Sequence, residues 1–122
     1  MQVIDQIKKP EDLLPLPPHV FYILLALIGK TLHGYQIKKN VEREMQKSVP
    51  TGSLYRHLKS MQENGLIEEV EKPVEDDDPR RQYFKLTAYG QAVYTAEYNR
   101  MAALVHRGAV LEGVWHRPSR EV

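Results

Sequence analysis

The sequence predicts a mainly α fold that carries one two-stranded β ribbon and closes with a long last helix. Three observations lead there. Apolar residues recur at helical spacing in successive stretches between Val20 and Asn64, each ended by Gly or Pro. After Gly65 the pattern changes to short β-inclined runs around a Pro- and Asp-rich segment. From Ala88 the helical period returns and runs to about Leu111.

Each element has a local reason. In residues 1–17, Val3, Ile4 and Ile7 suit one helical turn, and Pro15, Pro17 and Pro18 favour an extended link into a helix start. Val20 to Ile28 is apolar nearly all round, as in a buried helix, and Gly29 ends it. A second helix opens at His33-Gly34-Tyr35 and reaches about Gln46. Its apolar side is Tyr35, Ile37, Val41 and Met45, and Lys38, Lys39, Glu42 and Arg43 face water or phosphate. His33 reads as a helix-start hydrogen-bonding group rather than a metal ligand. Pro50 separates this helix from a third, Thr51 to Asn64, with Leu54, Leu58 and Met61 as its apolar stripe and Thr51 or Ser53 as its cap. Leu66–Glu71 and Arg81–Thr87 are strands joined by a long tip. A helix-turn-helix followed by such a ribbon is a winged helix. Thr87 caps the last helix, whose apolar residues cover more than one face and call for a partner subunit. The expected organisation is an extension at 1–17, a winged helix at 18–87, a dimerisation helix at 88–113 and a loose tail at 114–122.

Charge distribution narrows the function. The formal net charge of +1 is uninformative. Residues 30–59, however, carry seven Lys/Arg against two Glu, a net of +5, and residues 68–79 carry seven acids against one Lys, a net of −6. The third helix therefore reads as a DNA-contacting element. The hydroxyls of Thr51 and Ser53 at its start suit phosphate oxygens, Tyr55 suits sugar or a thymine methyl, and Arg56 or Lys59 suits a guanine edge. Lys38 on the second helix, and Arg80 and Arg81 at the base of the wing, complete the candidate set. The alternative for the arginines is neutralisation of Glu75-Asp76-Asp77-Asp78 beside them.

The sequence contains no cysteine, no metal-ligand spacing among its five histidines, and no phosphate loop or nucleophile turn. We expect no enzyme activity, cofactor or metal, and, with no apolar run long enough for a bilayer, a cytoplasmic protein.

Four blocks resemble the PadR family of transcriptional regulators: Ile23-Leu-Leu-Ala-Leu27, His33-Gly-Tyr-Gln-Ile37, Gly52-Ser-Leu-Tyr-Arg-His-Leu-Lys59 with Asn64-Gly-Leu-Ile67, and Arg80-Arg-Gln-Tyr-Phe-Lys-Leu-Thr87 with Gly90. The resemblance implies a homodimer whose third helix enters the major groove of double-stranded DNA, and repression relieved by a small molecule or another signal. The single helix after the wing resembles the smaller class of the family, in which that helix makes most of the dimer. Tyr94, Tyr98, Met101 and Val105 then line either dimer core or a ligand cavity at the dimer axis, and Trp115 either covers that interface or hangs free. The acidic wing tip departs from the family pattern, and it motivates a rival reading as a winged-helix module that binds protein and not DNA.

Overall fold

The computed structural model describes residues 8–113; the expected turn at Val3–Ile7 and Trp115 lie outside them. A short 3-10 turn, Pro10–Leu13, precedes α1 (Pro18–Leu27), β1 (Leu32–His33), α2 (Gly34–Met45), α3 (Thr51–Glu63), β2 (Ile67–Val70), β3 (Tyr83–Leu86) and α4 (Ala88–Glu112). One core joins them. Ile23, Leu24 and Leu27 of α1 meet Ile37 and Val41 of α2, Leu54, Leu58 and Met61 of α3, Ile67 and Phe84 of the ribbon, and Val93 of α4. The apolar stripe expected on α3 is thus the face that fixes it to the body.

Two expectations are corrected. Tyr35 is 57% exposed and does not share the apolar side of α2. Ile37, Val41 and Met45 recur every four residues and hold one stripe, and a residue two positions before Ile37 falls well round the helix from them. Neither Thr51 nor Ser53 caps α3: Pro50, extended at φ −61° and ψ 137°, is the N-cap residue and makes no side-chain cap bond. Its carbonyl accepts the first intrahelical bond, from the Leu54 N–H at 3.0 Å. Thr51 is therefore already helical, and the N–H groups of Thr51, Gly52 and Ser53 have no acceptor within the helix.

The ribbon gains a third strand. Leu32 and His33 pair antiparallel with Phe84 and Tyr83, so the order is β1-β3-β2. β1 ends in the residue that starts α2. The His33 Nδ1 accepts from the Gln36 N–H (3.3 Å), and the Gln36 side-chain oxygen accepts from the His33 N–H (3.0 Å). This reciprocal cap satisfies two donors that the helix start would leave open.

The start of α4 is fixed just as closely. Thr87 Oγ1 accepts from the Gly90 N–H (2.9 Å), its hydroxyl donates to the Gly65 carbonyl, and its N–H donates to the Leu66 carbonyl (3.1 Å). Residues before α1 also pack on α4. The Leu16 N–H donates to the buried Glu97 carboxylate (3.0 Å), which Arg100 pairs from the other side (2.6 Å), and the Tyr89 hydroxyl donates to the Lys8 carbonyl (2.7 Å). Arg100 is the main reason that the Glu97 carboxyl lies below its ordinary pKa.

Candidate nucleic-acid interface

With Leu54, Leu58 and Met61 turned inward, α3 presents Thr51, Gly52, Tyr55, Arg56 and Lys59 to solvent. Arg56 and Lys59 have no ion-pair partner among the described residues, so both cations are available to an anionic ligand. Ser53 is half-buried, and its hydroxyl lies 3.4 Å from His57 Nε2. Tyr55 is 41% exposed, and its hydroxyl end lies across the first residue of α2: a Cβ added to Gly34 would fall 2.2 Å from that oxygen. Gly34 is thus the seat of Tyr55. The His-Gly-Tyr block and the Gly-Ser-Leu-Tyr block are two halves of one contact.

Sequence reasoning missed how the turn between α2 and α3 is held. Glu42 and Lys38, expected to face outward, are both 17% exposed. The Glu42 carboxylate accepts from the Val49 N–H (2.8 Å) and from the Lys38 ammonium (3.1 Å), bracing the turn and drawing Lys38 onto the helix. The Val49 bond, ahead of the Lys38 one, holds the Glu42 carboxyl below its ordinary pKa. A charged residue whose partner is a backbone N–H seven positions on leaves no mark in a helical period.

At the wing, Asp76 accepts from the Tyr83 hydroxyl (2.6 Å), the Asp78 N–H (3.0 Å) and the Arg81 guanidinium (3.4 Å). Arg80 pairs with Asp78 at 3.2 Å. The acidic tip is therefore partly neutralised from within, and Arg80 and Arg81 sit in that network while remaining exposed. Tyr83 also meets the His33 ring edge-on at 5.3 Å, joining the wing to the start of α2. Burial, then Arg81, holds His33 below its ordinary pKa.

The Asp76 network makes a pH prediction. The Tyr83 hydroxyl, the Asp78 N–H and Arg81 bring the Asp76 carboxyl down to about 2. A folded pKa below the unfolded one stabilises the fold above the unfolded value, about 3.9, and that contribution is lost as pH falls towards 2. An NMR titration of the Asp76 carboxyl should give a midpoint near 2. A midpoint near 4 would contradict the network.

On α4 the buried residues are Gly90, Val93 and Glu97, all in its first half. Tyr94 stacks on Phe21 of α1 at 5.4 Å and lies 6.3 Å from Tyr98. Tyr98, Leu104, Val105 and Leu111 are 55%, 56%, 72% and 73% exposed, and Met101 is half-buried between them. Also unforeseen is a stack of His19 of α1 on His57 of α3, with ring centroids 3.8 Å apart.

The model of the transcriptional regulator PadR-like family matches residues 23–96. The chain belongs to that family. Three solved structures share the PadR-like fold. A PadR family regulator from Clostridium difficile is 23% identical over 78% of this chain and 97% of its own, with a TM-score of 0.64. A PadR-like regulator from Bacillus cereus is 23% identical over 75% and 88%, also at 0.64. RosR of H. salinarum is 23% identical over 82% and 99%, at 0.60. No curated protein matches the sequence. Membership of the PadR-like family makes the chain a DNA-binding transcription regulator; the family is not a class of enzymes. Among the described residues, no group of three or more His or acidic side chains is placed to hold a metal, and no helix is long and apolar enough to cross a membrane.

Proposed function

We propose that the protein is a cytoplasmic, dimeric repressor that binds a two-fold symmetric operator through α3 and leaves it on a small-molecule or other signal. The observation that carries this reading is the division of α3 into a buried apolar face and an outer face whose two cations, Arg56 and Lys59, make no ion pair among the described residues. In it, the free N–H groups and hydroxyls at Thr51 and Ser53 take phosphate, Tyr55 packs beside sugar, and Arg56 and Lys59 reach base edges. Arg80 and Arg81 touch flanking backbone from the base of the wing, and Lys38 adds positive charge behind the turn. Residues 18–87 form the DNA-binding unit, 88–113 the dimerisation helix, and 1–17 an extension. Titration with the gene's own upstream region tests it. With 6–10 phosphate contacts, affinity falls about 10³–10⁵-fold between 50 and 200 mM salt. No binding at low salt, or binding indifferent to salt, contradicts the reading.

The exposed apolar residues of α4 support the dimer. At 25 residues α4 is about 37 Å long. Half that length carries Tyr98, Met101, Leu104, Val105 and Leu111 with no fully buried residue. In the proposed dimer this stripe, with Tyr94, meets its two-fold mate. Leu104→Asp with Val105→Asp is then expected to give a folded monomer by sedimentation, with operator affinity reduced at least about 100-fold because two linked half-sites become independent. A variant that sediments as wild type does would place the dimer elsewhere.

A further inference from the structure

His57 has no part yet in the reading of α3, although it sits one turn after Ser53 with Nε2 3.4 Å from the serine hydroxyl oxygen. Its ring stacks on His19 at the start of α1, with centroids 3.8 Å apart and planes 22° from parallel. All three side chains are half-buried. The stack restrains the His57 ring from turning away, so Nε2 stays beside Ser53.

The sense of that contact depends on one proton. Nε2 carries a hydrogen in one neutral tautomer and in the imidazolium, and a bare lone pair in the other tautomer. With a hydrogen on Nε2, the ring donates to Ser53 Oγ, and the hydroxyl hydrogen is free for an outside acceptor. With Nε2 bare, the hydroxyl donates to the ring and shows only lone pairs outward, which repel a phosphate oxygen.

Few neighbouring charges compete for this proton. Among the described residues, the acids of the packed elements (Glu42 and Glu44 of α2, Glu63 of α3, Glu68 and Glu69 of β2, Glu97 of α4) make no ion pair with either ring. Arg56 and Lys59 stand at i−1 and i+2 from His57, off its side of the helix. The cations of α2 are turned to Glu42, Tyr35 and Asn40, and Lys85 of β3 lies at the far end of α1, beside Leu27 and Gly29. Burial, then the His57 ring, holds His19 below its ordinary pKa, so a proton taken up by the pair is disfavoured on His19.

We infer that His57, braced by His19, is a positioning residue for Ser53: it takes up a proton as DNA binds and turns the Ser53 hydroxyl towards a phosphate oxygen. The negative phosphate favours the imidazolium over the neutral ring, so the proton comes from solution. The inference rests on the DNA reading of α3 and makes operator affinity depend on pH.

The test is a set of anisotropy titrations of the full chain with the gene's own upstream duplex, from pH 8 to 6 at constant ionic strength. Uptake of half a proton per subunit raises affinity about threefold per subunit for each unit of pH lost, about tenfold for a dimer. Wild type should show at least this rise, and His57→Gln should lose most of it. Ser53→Ala decides the mechanism, and decides it alone if His57→Gln does not fold. It keeps the imidazole and its charge but has no hydroxyl to turn, so it should lose the rise as well. A wild-type rise in Ser53→Ala overturns the inference, because the charge on His57 then acts without the serine. A wild-type affinity that is the same at pH 8 and 6 also overturns it, and both results leave the DNA reading intact. A wild type that binds no duplex at any pH removes the DNA reading itself.

Discussion

Gly90→Ala is expected to cost the protein about 3 kcal/mol or more, enough to lower its Tm by roughly 10–20 °C. A Cβ at Gly90 would lie 1.9 Å from the Leu66 carbonyl oxygen and 2.9 Å from its carbon. Both are backbone atoms at the entry to β2, fixed by the Thr87 bonds that also cap α4, so no rotamer change relieves the clash. The same substitution further along the helix should act in the opposite direction. Gly108 has nothing within 4 Å of the added methyl, and alanine in place of a helical glycine stabilises by roughly 0.5–1 kcal/mol. Thermal melts of the two single variants should therefore move apart. Similar Tm values for both would mean that the ribbon and α4 are not in the contact described.

The second large effect concerns recognition. Arg56 is exposed on α3 and has no carboxylate partner among the described residues, so its loss leaves no orphaned charge inside the protein. A bidentate contact to guanine contributes roughly 1–3 kcal/mol of discrimination, and a symmetric dimer makes it twice. Arg56→Ala should then weaken operator binding by about 30-fold to more than 10⁴-fold and relax specificity at one base pair in each half-site. Lys59→Ala separates the alternatives. As a phosphate contact it lowers affinity for all sequences and reduces the salt slope by about 1 per subunit. Fluorescence anisotropy on a set of single-base operator variants reads both quantities. An Arg56→Ala protein with wild-type affinity and specificity would remove Arg56 from the interface.

The helices were legible because burial is periodic. Ile37 and Val41, and Leu54, Leu58 and Met61, announce the inward faces of α2 and α3, and the solvent face of α3 follows by exclusion. Thr87 and His33 were recognisable as helix starters from chemistry alone, and both act as such. Contacts between distant parts of the chain left no such trace. Glu97 is the least exposed carboxylate described, and its backbone partner is Leu16, 81 residues away. β1 is two residues long, too short to show any alternation, yet it ties the start of α2 to the wing. The row of acids from Glu75 to Asp78 reads as uniform repulsion, whereas in three dimensions Asp76 and Asp78 are satisfied by Tyr83, Arg80 and Arg81. Among the described residues, Glu75 and Asp77 are the acids of the tip that make no ion pair.

That difference bears on where DNA contact is expected. A tip with two of its acids paired repels phosphate less than its composition suggests, yet its two arginines are already engaged, and exposed pairs of this kind are worth little either way. Among the described residues, Arg43 of α2 and Arg56 and Lys59 of α3 make no ion pair. Methylation interference on an operator fragment tests this placement most directly. Two recognition helices related by a two-fold axis should make guanine N7 methylation inhibitory in two major-groove patches about one helical turn apart, or a multiple of it, with equivalent positions in each. Interference confined to one patch, or to adenine N3 in the minor groove, would contradict a dimer that reads DNA through α3.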